Sequence, residues 1–170
     1  MAGEWALYRF DEQLEQGEQG EAFLDRYFAR WFHISHATPG EQRQGIDRWF
    51  YALRRPRSFA VEYKTDWTAG RTGNAFIETV SVDTRDRAGW AYTSAADRLL
   101  YYLPGRAAIY VLTLTALRYR LPFWTQQYPL REIPNDGYHT HGLLVPLDEL
   151  ERCAHRVLVA PASDAPPEIR

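Results

Sequence analysis

At 170 residues the chain has the length of one domain with a substantial core, and no stretch approaches the roughly 18 apolar residues of a membrane-spanning helix. A formal net charge of −2 excludes a histone-like, strongly basic coating protein. The single cysteine, Cys153, excludes an internal disulfide and reads as a buried helix residue. The start, Met1 to Phe10, lacks the basic-then-apolar layout of a secretory signal, so a cytoplasmic protein with no membrane contact is expected.

In chain order, the helical spacing of Ala22, Phe23, Tyr27, Phe28 and Trp31 predicts a first helix over 17–32. Pro39-Gly40 marks a loop over 33–44. Residues 46–53 alternate as a strand, Arg54-Arg55-Pro56-Arg57 is a turn, and 58–64 form a second strand rich in Phe59, Val61 and Tyr63. A polar loop follows over 65–73, with Asp66 as a loop cap, then a third strand over 75–82. Thr93-Ser94 reads as an N-cap pair for a helix over 95–103 that Pro104-Gly105 stops. The nearly continuous apolar run 107–114 has the pattern of a central strand covered on both faces. A short helix broken at Pro122 is expected over 116–128, a strand over 142–146, and a helix over 147–156 with Asp148, Glu149 and Glu151 in its first turn. The Pro/Ala-rich residues 160–170 read as a frayed tail. The class is α/β, with one domain over 1–159: helix, three strands, helix, strand, then a C-terminal strand–helix extension.

Charge is unevenly spread. Seven acids (Glu4, Asp11, Glu12, Glu15, Glu18, Glu21, Asp25) face a single Arg9 within residues 1–25. Residues 43–71 are basic, holding Arg43, Arg48, Arg54, Arg55, Arg57, Lys64 and Arg71 against Asp47, Glu62 and Asp66. A basic surface around an acidic pair suits a polyanion held beside metal-binding carboxylates. Any one of these arginines is equally an ordinary solvated surface residue.

Lys64 is the only lysine among the 20 Lys and Arg residues. Arginine is a planar, permanently charged fork, whereas lysine is a compact point charge suited to a reacting oxygen or a poised water. Alternation along the strand puts Glu62 and Lys64 on one face and Tyr63 on the other. If the strand of Asp47 pairs with that of Glu62 through the arginine turn, the two carboxylates converge, and the Tyr63 backbone carbonyl offers a third oxygen. Carboxylate, carbonyl and water are the ligands that Mg²⁺ or Mn²⁺ accepts. Such an ion lowers the pKa of bound water and neutralises phosphoryl charge, while Lys64 orients the water or stabilises developing charge. The bland alternatives are a strand-start aspartate after Gly45 for Asp47, and for Glu62 a strand carboxylate paired with Lys64. Glu78 reads as a surface residue or a contact to Lys64.

Asp47 and Glu62-Tyr63-Lys64, an Asp-x(14)-Glu-x-Lys spacing, resemble the PD-(D/E)XK nuclease superfamily, which has a restriction-endonuclease-like, Holliday-junction-resolvase-like fold. Ile46 stands where the naming proline would be, and the glutamine helix motif of some branches is absent, only Asp97-x-x-x-Tyr101 occupying that region. The resemblance covers about residues 17–114. It implies an αβββαβ core with a mixed sheet flanked by helices, Mg²⁺ or Mn²⁺ at Asp47, Glu62 and the Tyr63 carbonyl, Lys64 as catalytic cation, and an assisting acid on the first helix, Glu21 or Glu18, of which helical spacing favours Glu21. It implies hydrolysis of DNA phosphodiesters, and homodimer formation is left open. Arg48, Arg54, Arg55, Arg57 and Arg71 become candidates for phosphates, and Trp67 and Trp90, in loops flanking the site, for bases. Most other aromatics (Trp49, Tyr51, Tyr92, Tyr101, Tyr102) read as core or edge filling. A second reading is a nuclease-fold protein that binds nucleic acid or a protein partner without cutting it, and a third is an unrelated α+β binding domain.

His139-x-His141, with Cys153 and His155 downstream, is a rival metal set, though its spacing fits no common structural-zinc pattern. The chain has no phosphate-binding Gly-x-x-x-x-Gly-Lys loop, so ATP-driven chemistry has no support; residue counts leave a Ser/His/Asp set open, though no Gly-x-Ser-x-Gly elbow is present.

Overall fold

The computed structural model describes residues 2–160, with side chains from Glu15 onward. Its elements are α1 (Ala2–Phe28), β1 (Phe32–His36), the one-turn α2 (Pro39–Gln42), β2 (Arg48–Ala52), β3 (Ser58–Thr65), the one-turn α3 (Ala69–Thr72) and β4 (Asn74–Val82). They are followed by β5 (Arg87–Ala88), the one-turn α4 (Trp90–Thr93), β6 (Arg98–Leu103), β7 (Ala108–Thr113), α5 (Leu114–Gln127), β8 (Leu130–Pro134), β9 (His139–Pro146), α6 (Leu147–Cys153) and β10 (Arg156–Val159).

Two sheets result, a six-stranded one in the order β1-β2-β3-β6-β7-β10 and a four-stranded one in the order β5-β4-β9-β8. The large sheet is mixed. β3 and β6 run parallel, Glu62 opposite Leu99 and Lys64 opposite Tyr101, and its other pairs are antiparallel. Helices flank it, and the α/β class expected from the sequence is the one found.

One face of the large sheet meets α1. Leu24 and Phe28 pack there with Phe50, Val61, Tyr63, Leu100, Tyr102 and Ile109. The opposite face, with Ala60, Leu99, Tyr101, Leu103 and Leu112, joins α5 (Leu117, Leu121, Trp124) and the inner side of the small sheet (Ile77, Leu143, Val145) in a second cluster. Burying such Leu and Phe side chains stabilises by about 1.5–3 kcal/mol each, which makes these two clusters the main driving force of the fold.

Several expectations are corrected. Residues 98–103 form a strand, not the helix predicted over 95–103. Arg-Leu-Leu-Tyr-Tyr-Leu is buried between β3 and β7, and a strand covered on both faces has no alternation to separate it from a buried helix. Ser94 caps no helix: its hydroxyl donates to the Gly45 carbonyl at 2.9 Å. The third predicted strand exists as β4 but belongs to the small sheet. The 33–44 loop contains the edge strand β1 and one helical turn. Pro122 does not break α5, which runs on through it with Leu121 and Trp124 held in the core. The last helix stops at Cys153, and β10 follows. Ala160, placed in the tail from sequence, is fully buried, its N–H donating to the Ala107 carbonyl at 2.6 Å. Residues 161–170, the rest of that expected tail, lie outside the described residues. Cys153 is half-buried at the end of α6.

Candidate functional site

The site begins where β2 pairs with β3. Backbone pairing runs from Tyr51 opposite Ser58 to Arg48 opposite Val61. One residue further back, Asp47 donates its N–H to the Val61 carbonyl at 2.9 Å, and its Oδ2 accepts the Tyr63 N–H at 2.7 Å. The side chain thus extends the ladder after the strands part, which fixes Asp47 against β3. Its other oxygen accepts no hydrogen bond among the described residues. Gly45, two residues before, has φ +74°, a left-handed conformation that favours glycine. A Cβ there would also stand 2.9 Å from the Ser94 backbone, so glycine is required to bring this turn in.

On β3, Glu62 and Lys64 share the face away from α1, as alternation predicted. Glu62 is 1% exposed. The Lys64 ammonium lies 2.6 Å from Glu62 Oε1, and Glu62 Oε2 is buried with no hydrogen-bond partner. Burial pushes the Glu62 carboxyl above its ordinary range; Lys64 and the nearby Ser94 hydroxyl oppose that shift and Asp47 adds to it. Desolvation pulls Lys64 down, but the Glu62, Asp47 and Glu78 carboxylates outweigh it and hold the ammonium above its ordinary value. Asp47, Glu62, Glu78 and Lys64 therefore form one electrostatic group. Glu78, on β4 of the other sheet, is raised by burial and accepts the Trp90 N–H at 3.4 Å. The Lys64 ammonium acts on it electrostatically and opposes that rise.

Glu21 and Arg48 lie on the α1 side. Gly20 allows this approach, since a Cβ there would fall 1.9 Å from Thr65 Oγ1. Arg48 was expected to reach phosphate. Instead it is buried, its Nε bonded to both Asp25 oxygens at 3.1 Å and its Nη2 3.0 Å from Glu21 Oε2 and from Asp25 Oδ2. The Tyr63 hydroxyl donates to Asp25 Oδ1 at 2.9 Å and completes the network. A guanidinium so enclosed does not reach a ligand. Glu21 is correspondingly held by Arg48, and burial, the largest influence on it, raises its pKa, with Asp47 adding to the rise.

The remaining candidates separate into two groups. Arg54, Arg55 and Arg57 are exposed at the tip of the β2–β3 hairpin, about 20 Å along the strand from Lys64 at ~3.3 Å per residue. Trp67, Trp90 and Arg71 line a cleft of about 1010 Å³ together with Lys64, Glu78, Asp66, Tyr101 and, from β8, Arg131. Asp47 and Glu62 do not line it: they stand behind Lys64. Sequence reading missed Arg131 and the anchoring role of Arg118. Arg118, on α5, donates from Nε to the Ala91 carbonyl at 3.0 Å and from Nη2 to the Ser94 carbonyl, pinning the turn that backs Glu62. Neither has a local motif, because each reaches the site from another element.

Among the described residues no three Asp, Glu, His or Cys side chains gather as a metal cage. The donors that fit a hard cation are the free Asp47 oxygen, Glu62 Oε2 and the Tyr63 carbonyl. All are oxygens, and one is a buried carboxylate oxygen without a donor, which is costly unless something positive satisfies it. Oxygen ligands of this kind are the type that Mg²⁺ or Mn²⁺ accepts.

The histidine set is drawn elsewhere. His139 and His141, on β9, turn to Asp83, with His139 Nδ1 3.1 Å and His141 Nε2 3.6 Å from Asp83 Oδ2; Cys153 and His155 lie apart, at the end of α6 and beyond it. The His139 backbone N–H above all, with the His139 side chain, the Thr84 N–H and His141, holds the Asp83 carboxyl down to about 2 against the opposing effect of desolvation. A depressed aspartate stabilises the fold above its unfolded value near 3.8 and loses that contribution as pH falls through about 2. Acid titration of wild type against Asp83→Asn should therefore show a stability advantage that is complete above about pH 4 and disappears toward pH 2.

No family model, curated protein or solved structure matches this chain. Among the described residues, no helix is long and apolar enough to cross a membrane.

Proposed function

We propose that the chain is a metal-dependent nuclease that hydrolyses DNA phosphodiesters on a restriction-endonuclease-like core. The observation that carries this reading is the set of Asp47 at the mouth of β2 and Glu62-x-Lys64 on β3, with one desolvated carboxylate oxygen unpartnered and the chain's one ammonium between it and a cleft. The order of α1, the antiparallel β1-β2-β3 and the parallel β6 supports the core. The β3-to-β6 crossover departs from it, carrying β4, β5 and the two one-turn helices α3 and α4 where a long helix would be expected.

Asp47, Glu62 and the Tyr63 carbonyl would hold Mg²⁺ or Mn²⁺, which supplies charge neutralisation and an acidified water. The residues then divide the remaining work. Lys64, held protonated by three carboxylates, faces the cleft and stabilises charge on the phosphate oxygens as water attacks phosphorus and the ester oxygen leaves. Glu78 and Trp90 fix the ammonium's position, the ring centroid of Trp90 lying 5.6 Å from Nζ. Arg48 keeps α1 against the back of Asp47 and Tyr63.

The second reading, a binding module without cleavage, is favoured by one feature: the carboxylates lie behind Lys64 rather than on the cleft wall. The readings separate in one assay. Purified protein with Mg²⁺ or Mn²⁺ should nick or degrade a DNA substrate, EDTA should stop it, and Asp47→Asn should weaken metal binding while keeping or improving metal-free DNA affinity, because a negative charge has been removed. Intact DNA and RNA with both metals would transfer the case to the binding module.

A further inference from the structure

The cleft in front of Lys64 is bounded on one side by α1 and the end of β3, and on the other by the small sheet. Its lining is unevenly charged once internal partners are counted. Asp66 is fully engaged: Oδ1 accepts the N–H groups of Thr68 and Ala69 at 2.9 and 2.8 Å, and Oδ2 accepts the Tyr101 hydroxyl at 2.7 Å and the Phe76 N–H at 3.3 Å. Glu78 is bound to Trp90 and set against Lys64. Arg71 and Arg131 both line the cleft, both are exposed, and neither makes an ion pair among the described residues. Two indoles accompany them. Trp67 is 43% exposed and anchored by its Nε1–H to the Gln16 carbonyl at 3.4 Å; Trp90 is half-buried beside the ammonium. The cleft therefore presents the exposed Trp67 ring and the half-buried Trp90 ring together with unpaired guanidinium groups and one ammonium.

That is the chemistry of an unpaired strand: bases stack on the indoles while phosphates lie along the cations. Paired bases offer no free face to Trp67 or Trp90. A volume near 1010 Å³ is at the scale of an ordinary ligand pocket, about 300–1,000 Å³, and admits a few nucleotides rather than a turn of duplex. We infer that this cleft binds single-stranded nucleic acid, seating bases on Trp67 and Trp90 and phosphates on Arg71 and Arg131, so that the backbone passes Lys64. The inference rests on the nuclease reading for what happens at Lys64, but the binding itself needs no metal. The remote Arg54-Arg55-Pro56-Arg57 tip takes no part in it.

The test is fluorescence anisotropy in EDTA with labelled dT12, labelled U12 and a 12-base-pair duplex, across a salt series. Single strands should bind at least tenfold tighter than duplex, and dT12 against U12 distinguishes DNA from RNA as the source of the strand. Trp67→Ala and Trp90→Ala should each weaken single-strand binding about tenfold, consistent with stacking strengths, with Trp67→Phe and Trp90→Phe recovering most of it. Arg71→Ala and Arg131→Ala should each lower the log–log salt slope by roughly 0.7, and the triple Arg54, Arg55 and Arg57 alanine variant should leave it unchanged. Duplex binding as tightly as single strand, or single-strand affinity indifferent to both indoles and both cleft arginines, overturns the inference. Duplex cleavage without single-strand binding would overturn this inference alone and leave the nuclease reading standing. Cleft-dependent single-strand binding with no cleavage of any substrate would do the reverse.

Discussion

Glu62→Gln should lower metal-supported cleavage by about 10²–10⁴-fold, the usual scale for removing a group that acts at the reacting centre, while leaving a folded protein. Two effects oppose each other in stability. The amide removes a carboxylate whose Oε2 has no donor, which relieves a desolvation cost. It also removes the partner of Lys64, but that ammonium is one-third exposed and can rehydrate. The melting temperature should therefore move by only a few degrees while activity is lost. Lys64→Ala should be equally inactive and less stable, because it leaves Glu62 buried with neither oxygen compensated. Lys64→Arg should not restore activity, since a planar fork cannot occupy a point-charge position between Glu62 and Glu78. Cleavage rates together with thermal unfolding of the three variants check the set. Full activity in Glu62→Gln would remove Glu62 from the mechanism.

What was legible in the sequence was local. The Asp47, Glu62 and Lys64 arrangement followed from a hairpin with a recognisable turn and from the period of two in β3, and both are properties of contiguous residues. The identity of β6 was not legible, because Arg98–Leu103 is covered on both faces and its pairing with β3 depends on residues more than thirty positions away. The same missing information put β4 in the wrong sheet: alternation shows that a strand has two unlike faces, not which strand lies beside it. Arg48 illustrates the limit most clearly. Its position within a basic run suggested solvent and phosphate, whereas its partners Asp25 and Glu21 stand 23 and 27 residues earlier, in the acid-rich segment 1–25. Trp67, Trp90 and Arg71 were legible as candidates only because loops bordering the motif return to the same cleft, and Arg131, on β8, carried no such signal.

Arg48→Ala should be the most destabilising single substitution on the α1 side of the sheet. The guanidinium is about one-twentieth exposed and contacts Asp25, Glu21 and the Asp47 carbonyl, with its Cζ 5.3 Å from the centre of the Tyr63 ring. Truncation leaves Asp25 with only the Tyr63 hydroxyl and Glu21 with no side-chain cation among these contacts. Breaking one side of a buried ion network costs about 3–5 kcal/mol, where an exposed pair is worth about 0–1 kcal/mol. Asp25 and Glu21 are partly exposed, at 27% and 40%, so water recovers part of the loss and the lower end applies, about 3 kcal/mol. For a chain of this length that corresponds to a fall of roughly 6–12 °C in melting temperature. Arg48→Lys should recover little of it, because an ammonium cannot bond both Asp25 oxygens and Glu21 in the plane that the fork occupies. Thermal unfolding at neutral pH measures this directly, and a fall of under 2 °C would mean that the network is dispensable and α1 is held by its aromatic face alone. Activity gives a second readout: Arg48 touches no ligand, so below the melting transition Arg48→Ala should keep its metal affinity, in contrast to Asp47→Asn. Loss of metal affinity in the folded variant would show that Arg48 holds Asp47 in place through the Asp47 carbonyl, making it a positioning residue of the site as well as its structural support.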